Sequence, residues 1–384
     1  MGMVPRLWFL YSIPCICITM YLCWNLGAMT SKPQLRRFCQ QFMKGHETMR
    51  GTMSEFITEQ TMSHTARPTT PASRTRPVSS DFYKTTVNGN NINHQIENHF
   101  TMLKNETKDP FVNQHLFSFI HTSEACSERS IFLLMVVHSA AMNYNKRDMI
   151  RTTFGSVKSY RDKRLAVAFI LGTVEQQTLQ DSINRESQLH HDIVQGNLLD
   201  SYKNLSRKHI MAMHWVKYNC NSTYILKLDD DTFVNPYRII DFLLKENPQG
   251  MSMYCKVISG DVPNRRKYSK WYTPVSQYPF PKLPPYCLGF AYITTQIAWN
   301  ALYKASETCR ITNMDDLYVS VVLAMKAGVK KRSFENLLYK CPKPASRMTE
   351  RVLNEKAIVL DIRNKCGDIP FTFFPRLQEM NGFD

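Results

Sequence analysis

The chain has 384 residues, 43% of them hydrophobic and 11% aromatic. That is enough for one globular unit of roughly 250 residues with its own core, so disorder throughout is excluded. A net charge of +16 admits nucleic acid, an anionic membrane surface or an anionic small substrate as partner. No nucleic-acid-binding module or nuclear address accompanies it, so no nucleic-acid partner is expected.

Residues 1–6 form a short tail before Leu7–Ser31, which carries no charge and reads LWFLYSIPCICITMYLCWNLGAMTS. This matches the ~20 apolar residues of a membrane-spanning helix, and an anchor is expected over residues 7–29. A cleaved signal peptide is the competitor, although its apolar core usually spans only about 7 to 15 residues. Arg6 on one flank and Lys32, Arg36 and Arg37 on the other leave the orientation to be decided by the remainder. From residue 30 to residue 125 the chain turns polar, as in ARPTTPASRTRPVSS, and reads as a flexible stem without a core.

Asn-x-Ser/Thr sequons at Asn105, Asn204 and Asn221, and eight cysteines beyond the anchor, fit the lumen of the secretory pathway. Cys39, Cys126, Cys220, Cys255, Cys287, Cys309, Cys341 and Cys366 are spaced too irregularly for a zinc ribbon and point to disulfides. Cys15, Cys17 and Cys23 lie inside the anchor.

Past residue 126 short apolar runs begin: IFLLMVV at Ile131, LAVAFILG at Leu165–Gly172 and YILKL at Tyr224–Leu228, each suited to a strand buried on both faces. Between them lies the helix-like segment Ser201–Asn219, with Leu205, Ile210, Met213 and Val216 along a helical stripe. The alternation predicts an α/β fold with a mostly parallel central sheet flanked by helices, a single domain over residues 126–384. There is no internal repeat, no GxGxxG and no GxxxxGK[ST], which removes the main support for dinucleotide-binding and P-loop readings.

Asp229, Asp230 and Asp231 follow directly on YILKL, where ligands collect in an open α/β sheet. Three adjacent carboxylates repel one another and suit a hard divalent cation that also bridges to a diphosphate. An acidic turn or helix cap explains the triplet equally well on its own. An EF-hand does not, because the glycine and distal glutamate are missing.

The surroundings decide between these. Arg147-x-x-Ile150-Arg151-x-Thr153-Phe154, Phe169-Ile170-Leu171-Gly172, Asp192-Ile193-Val194-Gln195, Asp200-Ser201-Tyr202-Lys203-Asn204-Leu205 and Lys227-Leu228-Asp229-Asp230-Asp231-Thr232-Phe233-Val234-Asn235 occur in order. Lys270-Trp271-Tyr272, Pro284-Pro285-Tyr286-Cys287-Leu288-Gly289 and Asp315-Asp316-Leu317-Tyr318-Val319-Ser320 follow. Over residues 126–384 this series resembles the β1,3-galactosyltransferase and β1,3-N-acetylglucosaminyltransferase family, Golgi type II membrane glycosyltransferases with a DDD motif.

The resemblance implies a GT-A-like nucleotide-binding fold and an inverting β1,3-glycosyltransferase. The donor is expected to be UDP-galactose, next UDP-N-acetylglucosamine, and the acceptor a glycan on protein or lipid. Asp316 would be the catalytic base, Asp231 a ligand of Mn²⁺ or Mg²⁺, and Arg151, Lys227, Asp229 and Asp230 the donor site. Trp271, Tyr286 and Gly289 would receive the acceptor, with core packing the alternative for Trp271. A bridge between Cys220 and Cys287 would hold the acidic strand beside the acceptor loop. The chain would be anchored in the Golgi membrane with its catalytic domain lumenal, and a homodimer is among the assemblies allowed.

Three departures from the family pattern stand out. Phe154 replaces a tryptophan, Asp315 a glutamate and Ser320 a glycine, the last expected to crowd a tight backbone. A fourth is that no histidine follows His214, where the family supplies a C-terminal metal ligand. Asp361, in AIVLDIRN, is the candidate for its place. This motivates the alternative of a catalytically silent relative kept as a lumenal binding partner or chaperone.

Overall fold

The computed structural model describes residues 89–101, 116–127, 130–334, 338–340, 359–361 and 369–381. The expected anchor, most of the stem, Asn105, Cys39, Cys341 and Cys366 lie outside the described residues. Among the described residues, no helix is long and apolar enough to cross a membrane.

The chain enters through helix α1 (Gly89–Phe100) and strand β1 (Phe119–His121). Ile96 and Phe100 are buried in the core, and β1 pairs antiparallel with a strand of the central sheet. The folded unit therefore extends upstream of residue 126, into residues the composition assigns to the stem. Among the described side chains of this helix two are buried, too few to stand out in composition.

The sheet is then laid down as β2 (Ile131–His138), β3 (Ser159–Tyr160), β4 (Lys163–Thr173), β5 (Ile193–Leu199) and β6 (Ser222–Asp229). The connecting helices are α2 (Tyr144–Thr152), α3 (Gln177–His190) and α4 (Leu205–Asn219). After β7 (Thr232–Val234) and α5 (Pro236–Glu246) come β8 (Ser252–Ile258), β9 (Tyr286–Thr295) and α6 (Gln296–Ser306). Helix α7 starts α-helical at Asp315–Leu317, widens into a π-helix over Tyr318–Leu323 and returns to α-helix at Ala324–Ala327. The described residues end with β10 (Lys330–Ser333), β11 (Leu338–Lys340), β12 (Val359–Asp361), α8 (Ile369–Thr372) and α9 (Phe374–Met380).

The strand order is β1-β5-β4-β2-β6-β9-β8-β10. β5, β4, β2 and β6 are mutually parallel, as the apolar runs predict, while β9 is antiparallel to β6 and β8. Along β2, Leu133, Met135 and Val137 enter one core and Leu134 and Val136 the other, so alternate side chains are buried on opposite faces. From β2 the chain runs outward to β4 and β5 and then returns to β6 on the other side. That reversal opens a crevice at the carboxyl ends of β2 and β6, where His138 and Asp229 lie side by side in register.

Among the described residues two disulfides tie the fold, Cys126–Cys220 and Cys255–Cys287. The bridge expected between Cys220 and Cys287 is not formed. Cys287 starts β9 and its neighbour in the sheet is β8, which carries Cys255, whereas Cys220 sits at the far end of β6. Sheet register, which cysteine spacing does not encode, decides the pairing. Cys309 is buried and free.

Candidate active site

The acidic triplet stands where β6 runs out. Asp229 is the last residue of the strand, Asp230 N–H continues the ladder by donating to the His138 carbonyl (3.1 Å), and Asp231 leads into β7. The three carboxylates have different surroundings. Both oxygens of Asp230 are taken: Oδ2 accepts from Ser139 Oγ (2.8 Å) and Asn143 Nδ2 (2.7 Å), and Oδ1 from Lys146 Nζ (3.0 Å). Asp230, expected at the donor, thus serves to lock the loop after β2 onto the end of β6. Asp229 and Asp231 remain half-buried at the rim.

Asn235, which ends the triplet's motif, caps α5: its Oδ1 accepts from Arg238 N–H (3.2 Å), with Pro236 at the first helical position. Phe154 is fully buried against Phe233 and Phe371, so the phenylalanine in place of tryptophan still backs the strand after the triplet.

Arg151, expected at the donor, is paired with two acids. Its Nε and Nη2 reach Asp192 at 2.8 Å, Nη2 also reaches Glu186 at 2.7 Å, and its guanidinium lies 4.8 Å from the centre of the Phe169 ring. Arg147, four residues earlier on the same face of α2, forms a bidentate pair with Glu186 (2.8 and 2.6 Å) and donates to Ser139 Oγ (3.0 Å). Burial alone would raise the Glu186 carboxyl, but the two guanidiniums outweigh it and hold it below the usual range. A continuous buried chain thus runs from Asp192 through Arg151, Glu186, Arg147 and Ser139 to Asp230. Glu186 escapes motif reading because it is an isolated acid. The available signal is that it shares the buried helical face of Ile183 and Ser187.

Lys227 is likewise committed. Its Nζ donates to Asp229 Oδ1 (2.6 Å) and to the Gly289 carbonyl, pinning β6 to β9. Gly289 N–H in turn donates to Asp316 Oδ2 at 3.0 Å. A Cβ at position 289 would fall 1.8 Å from Asp316 Oδ1, so only glycine lets the backbone approach that carboxylate. One strand thus presents both a carbonyl to the lysine and an amide to the acid.

Asp315 and Asp316 open α7 beside this strand, and the electrostatics of the pair are strongly unequal. Burial raises Asp315, but the His209 contact and Lys227 overcome it and hold Asp315 below the ordinary carboxylate range. Burial and the Asp315 charge push Asp316 well above it. Burial also pushes Asp229 up to about 6, against the pull of Lys227. Unequal carboxylates in one site can divide roles, one staying ionised and the other exchanging a proton.

Ser320 does not crowd the backbone as expected. Its Oγ accepts from Cys287 N–H (2.9 Å) and donates to the Asp316 carbonyl (2.6 Å), joining α7 to β9 one turn beyond the acid. The π-helical widening begins at Tyr318, two residues before it.

Of the residues expected at the acceptor, Tyr286 is buried and its hydroxyl donates to Asp261 Oδ2 (2.8 Å). Trp271 is 51% exposed, with Lys270 Nζ 4.5 Å from its ring centre, which decides against core packing. Asn221 is exposed, whereas Asn204 is half-buried and its Nδ2 donates to the Leu199 carbonyl (2.9 Å).

Among the described residues, no group of three or more His, Cys, Asp or Glu side chains is arranged as a ready metal cage. By backbone register β12 pairs antiparallel with β7, and Asp361 lies opposite Thr232, the residue after Asp231. Carboxylates together with diphosphate oxygens are the type of donor that suits Mn²⁺ or Mg²⁺.

Residues 145–335 match the family model described as Galactosyltransferase. The chain is 34% identical to mouse beta-1,3-galactosyltransferase 1 over 222 residues, 57% of this chain and 68% of that one. With mouse beta-1,3-galactosyltransferase 5 it shares 32% identity over 200 residues, 52% of this chain and 65% of the other. Among solved structures, apo mouse xyloside xylosyltransferase 1 is similar with a TM-score of 0.32 and 11% identity, over 62% of this chain and 99% of that one.

Proposed function

The chain belongs to the β1,3-galactosyltransferase family, and from that premise we propose that it is an inverting hexosyltransferase. It moves a sugar, galactose before N-acetylglucosamine, from a UDP-sugar to a hydroxyl of a glycan on protein or lipid. The observation that carries the reading is the Lys227–Gly289–Asp316 link, which fixes a carboxylate of raised proton affinity beside the acidic strand end.

The acceptor hydroxyl oxygen attacks the anomeric carbon while its proton passes to Asp316. The new oxygen–carbon bond forms as the bond from that carbon to the diphosphate breaks on the opposite face, and the leaving group departs with the electron pair. Gly289 N–H orients Asp316, and Lys227 holds Asp229 at the mouth of the donor site, next to Asp231. Bound at Asp231 and Asp361, Mn²⁺ or Mg²⁺ would neutralise charge on the departing UDP. Trp271 offers an exposed ring face to the acceptor sugar, with Tyr286 packed in the core at the start of β9.

A Golgi location with an uncleaved anchor over residues 7–29 rests on the apolar segment and on two disulfides that suit an oxidising lumen. Glycosylation at Asn221 fits its exposed position at the start of β6; Asn204 would first have to release the Leu199 carbonyl. The silent-relative alternative has no comparable observation behind it. UDP release from UDP-galactose and UDP-N-acetylglucosamine, across a glycan acceptor panel with and without Mn²⁺, tests the proposal. Turnover that Asp316→Asn abolishes is expected; no turnover under any condition would overturn it.

A further inference from the structure

His209 plays no part in the reaction as outlined, yet it touches Asp315 from the side of α4. It lies on α4, 1% exposed, in contact with residues of β2, β9, α6 and α7. Its Nε2 is 2.6 Å from the Tyr292 hydroxyl on β9 and its Nδ1 3.4 Å from Asp315 Oδ2 on α7. The His138 ring on β2 packs edge-on at 4.7 Å between centroids.

The hydrogen-bonding chemistry fixes a direction along this chain. Burial lowers His209, so its ring is neutral and carries one N–H. Burial and the two neighbouring carboxylates push Tyr292 well up, so its phenol keeps its proton and donates. Nε2 then accepts from Tyr292, and the N–H is left on Nδ1, facing the ionised Asp315. The opposite tautomer would aim a lone pair at that carboxylate.

The arrangement matters because Asp315 and Asp316 are adjacent, both close to Lys227, and chemically alike. Without a hold on Asp315, either carboxylate could take the acceptor's proton, and only Asp316 is aligned by the Gly289 amide. Asp315 is also shorter by one methylene than the glutamate of the family motif. Its contact with Nδ1 is at the long end of hydrogen-bond range, so the imidazole's own anchoring by Tyr292 is what makes it directional.

We propose that His209 is a positioning residue: held by Tyr292, it keeps Asp315 turned toward α4, so that Asp316 alone receives the proton of the acceptor hydroxyl. The inference rests on the transferase reading above.

The test is steady-state UDP release from UDP-galactose, or UDP-N-acetylglucosamine if that is the working donor, with the acceptor that gives turnover, using the full chain and its variants. His209→Leu is expected to lower kcat roughly 30-fold with both KM values within twofold, since misplacement by about 1 Å can cost ~10²-fold. His209→Asn, whose amide N–H can stand in for Nδ1–H, is expected to recover activity to within about threefold of the parent. In a double-mutant cycle, His209→Leu is expected to have no further effect in an Asp315→Asn background. This arm and the Asn variant keep the test decisive should the leucine variant fold poorly. Unchanged kcat in His209→Leu, an Asn variant as slow as the Leu variant at equal Tm, or full additivity with Asp315→Asn would each overturn the inference while the transferase reading stands. A parent chain that turns over neither donor would remove both.

Discussion

Two buried charge clusters serve this site, and they differ in balance. In the first, Arg147 and Arg151 face Glu186 and Asp192 with two cations to two anions, and the contacts that join them lie between 2.6 and 2.8 Å. In the second, Lys227 is the single cation for Asp229, Asp315 and Asp316. The balanced cluster relaxes its carboxylate: Glu186 titrates below its ordinary range. The unbalanced one leaves Asp229 and Asp316 raised. A buried excess of negative charge is unfavourable unless something in the working cycle relieves it, and a cation or a proton does so. The first cluster therefore suits a structural role, and the second suits the proposed chemistry.

The hardest test of that division is Asp316→Asn. Removing the base is expected to lower kcat by about 10³-fold, within the range of general-base contributions. Tm should hold or rise, because one of three crowded carboxylates is neutralised. A stability loss without a kcat loss would place Asp316 in the structural class. Gly289→Ala is expected to follow at about 10²-fold in kcat with little change in donor KM, since the new methyl would displace the Asp316 carboxylate it cannot coexist with.

The balanced cluster should respond the other way. Glu186→Gln leaves Arg147 and Arg151 buried without their shared anion and is expected to cost about 3 kcal/mol in denaturant unfolding. The folded fraction should keep its donor and acceptor KM. A raised donor KM with unchanged stability would return Arg151 to the donor site, where the motif alone puts it.

Arg151 marks the limit of what the sequence makes legible, since its acid partners lie outside its own motif. The strands at Ile131, Leu165 and Tyr224 could be read because both faces are buried and the apolar runs are unbroken. The triplet could be placed because it follows such a strand. Roles inside the motifs could not: Arg151, Lys227 and Asp230 look like free charges in the sequence, and their partners Glu186, Asp192, Gly289 and Ser139 arrive from other elements. Ser320 reads as an obstruction until Cys287 N–H and the Asp316 carbonyl appear on either side of it. α4 shows a stripe through Ile210, Met213 and Val216, yet it is buried nearly all round, and so Lys208 and His209 are hidden as well. Residue identity sets charge and periodicity, whereas partnership depends on register between strands far apart in the chain.

At the exposed edge of the unbalanced cluster, Trp271→Ala is expected to raise acceptor KM by about tenfold while stability stays within ~0.5 kcal/mol. A large loss of stability would show that the indole is packed rather than presented.

The finest discrimination comes from pH. Glu186 is depressed in the folded state, so its contribution is present above its unfolded pKa and lost as pH falls through its lower folded value. The deficit of Glu186→Gln relative to the parent should therefore be full at pH 7 and shrink below about pH 4.5. Asp316 is raised, so its ionised form weakens the fold above its folded pKa, and this penalty disappears once pH drops below the ordinary carboxylate value. Any stability gained by Asp316→Asn should likewise be greatest at neutral pH and vanish below about pH 4. The two differences converge on zero in acid from opposite sides, one from a loss and the other from a gain. Denaturant midpoints measured from pH 7 down to about pH 2 are needed to see it, and two curves of the same sign would mean that the clusters do not differ in balance.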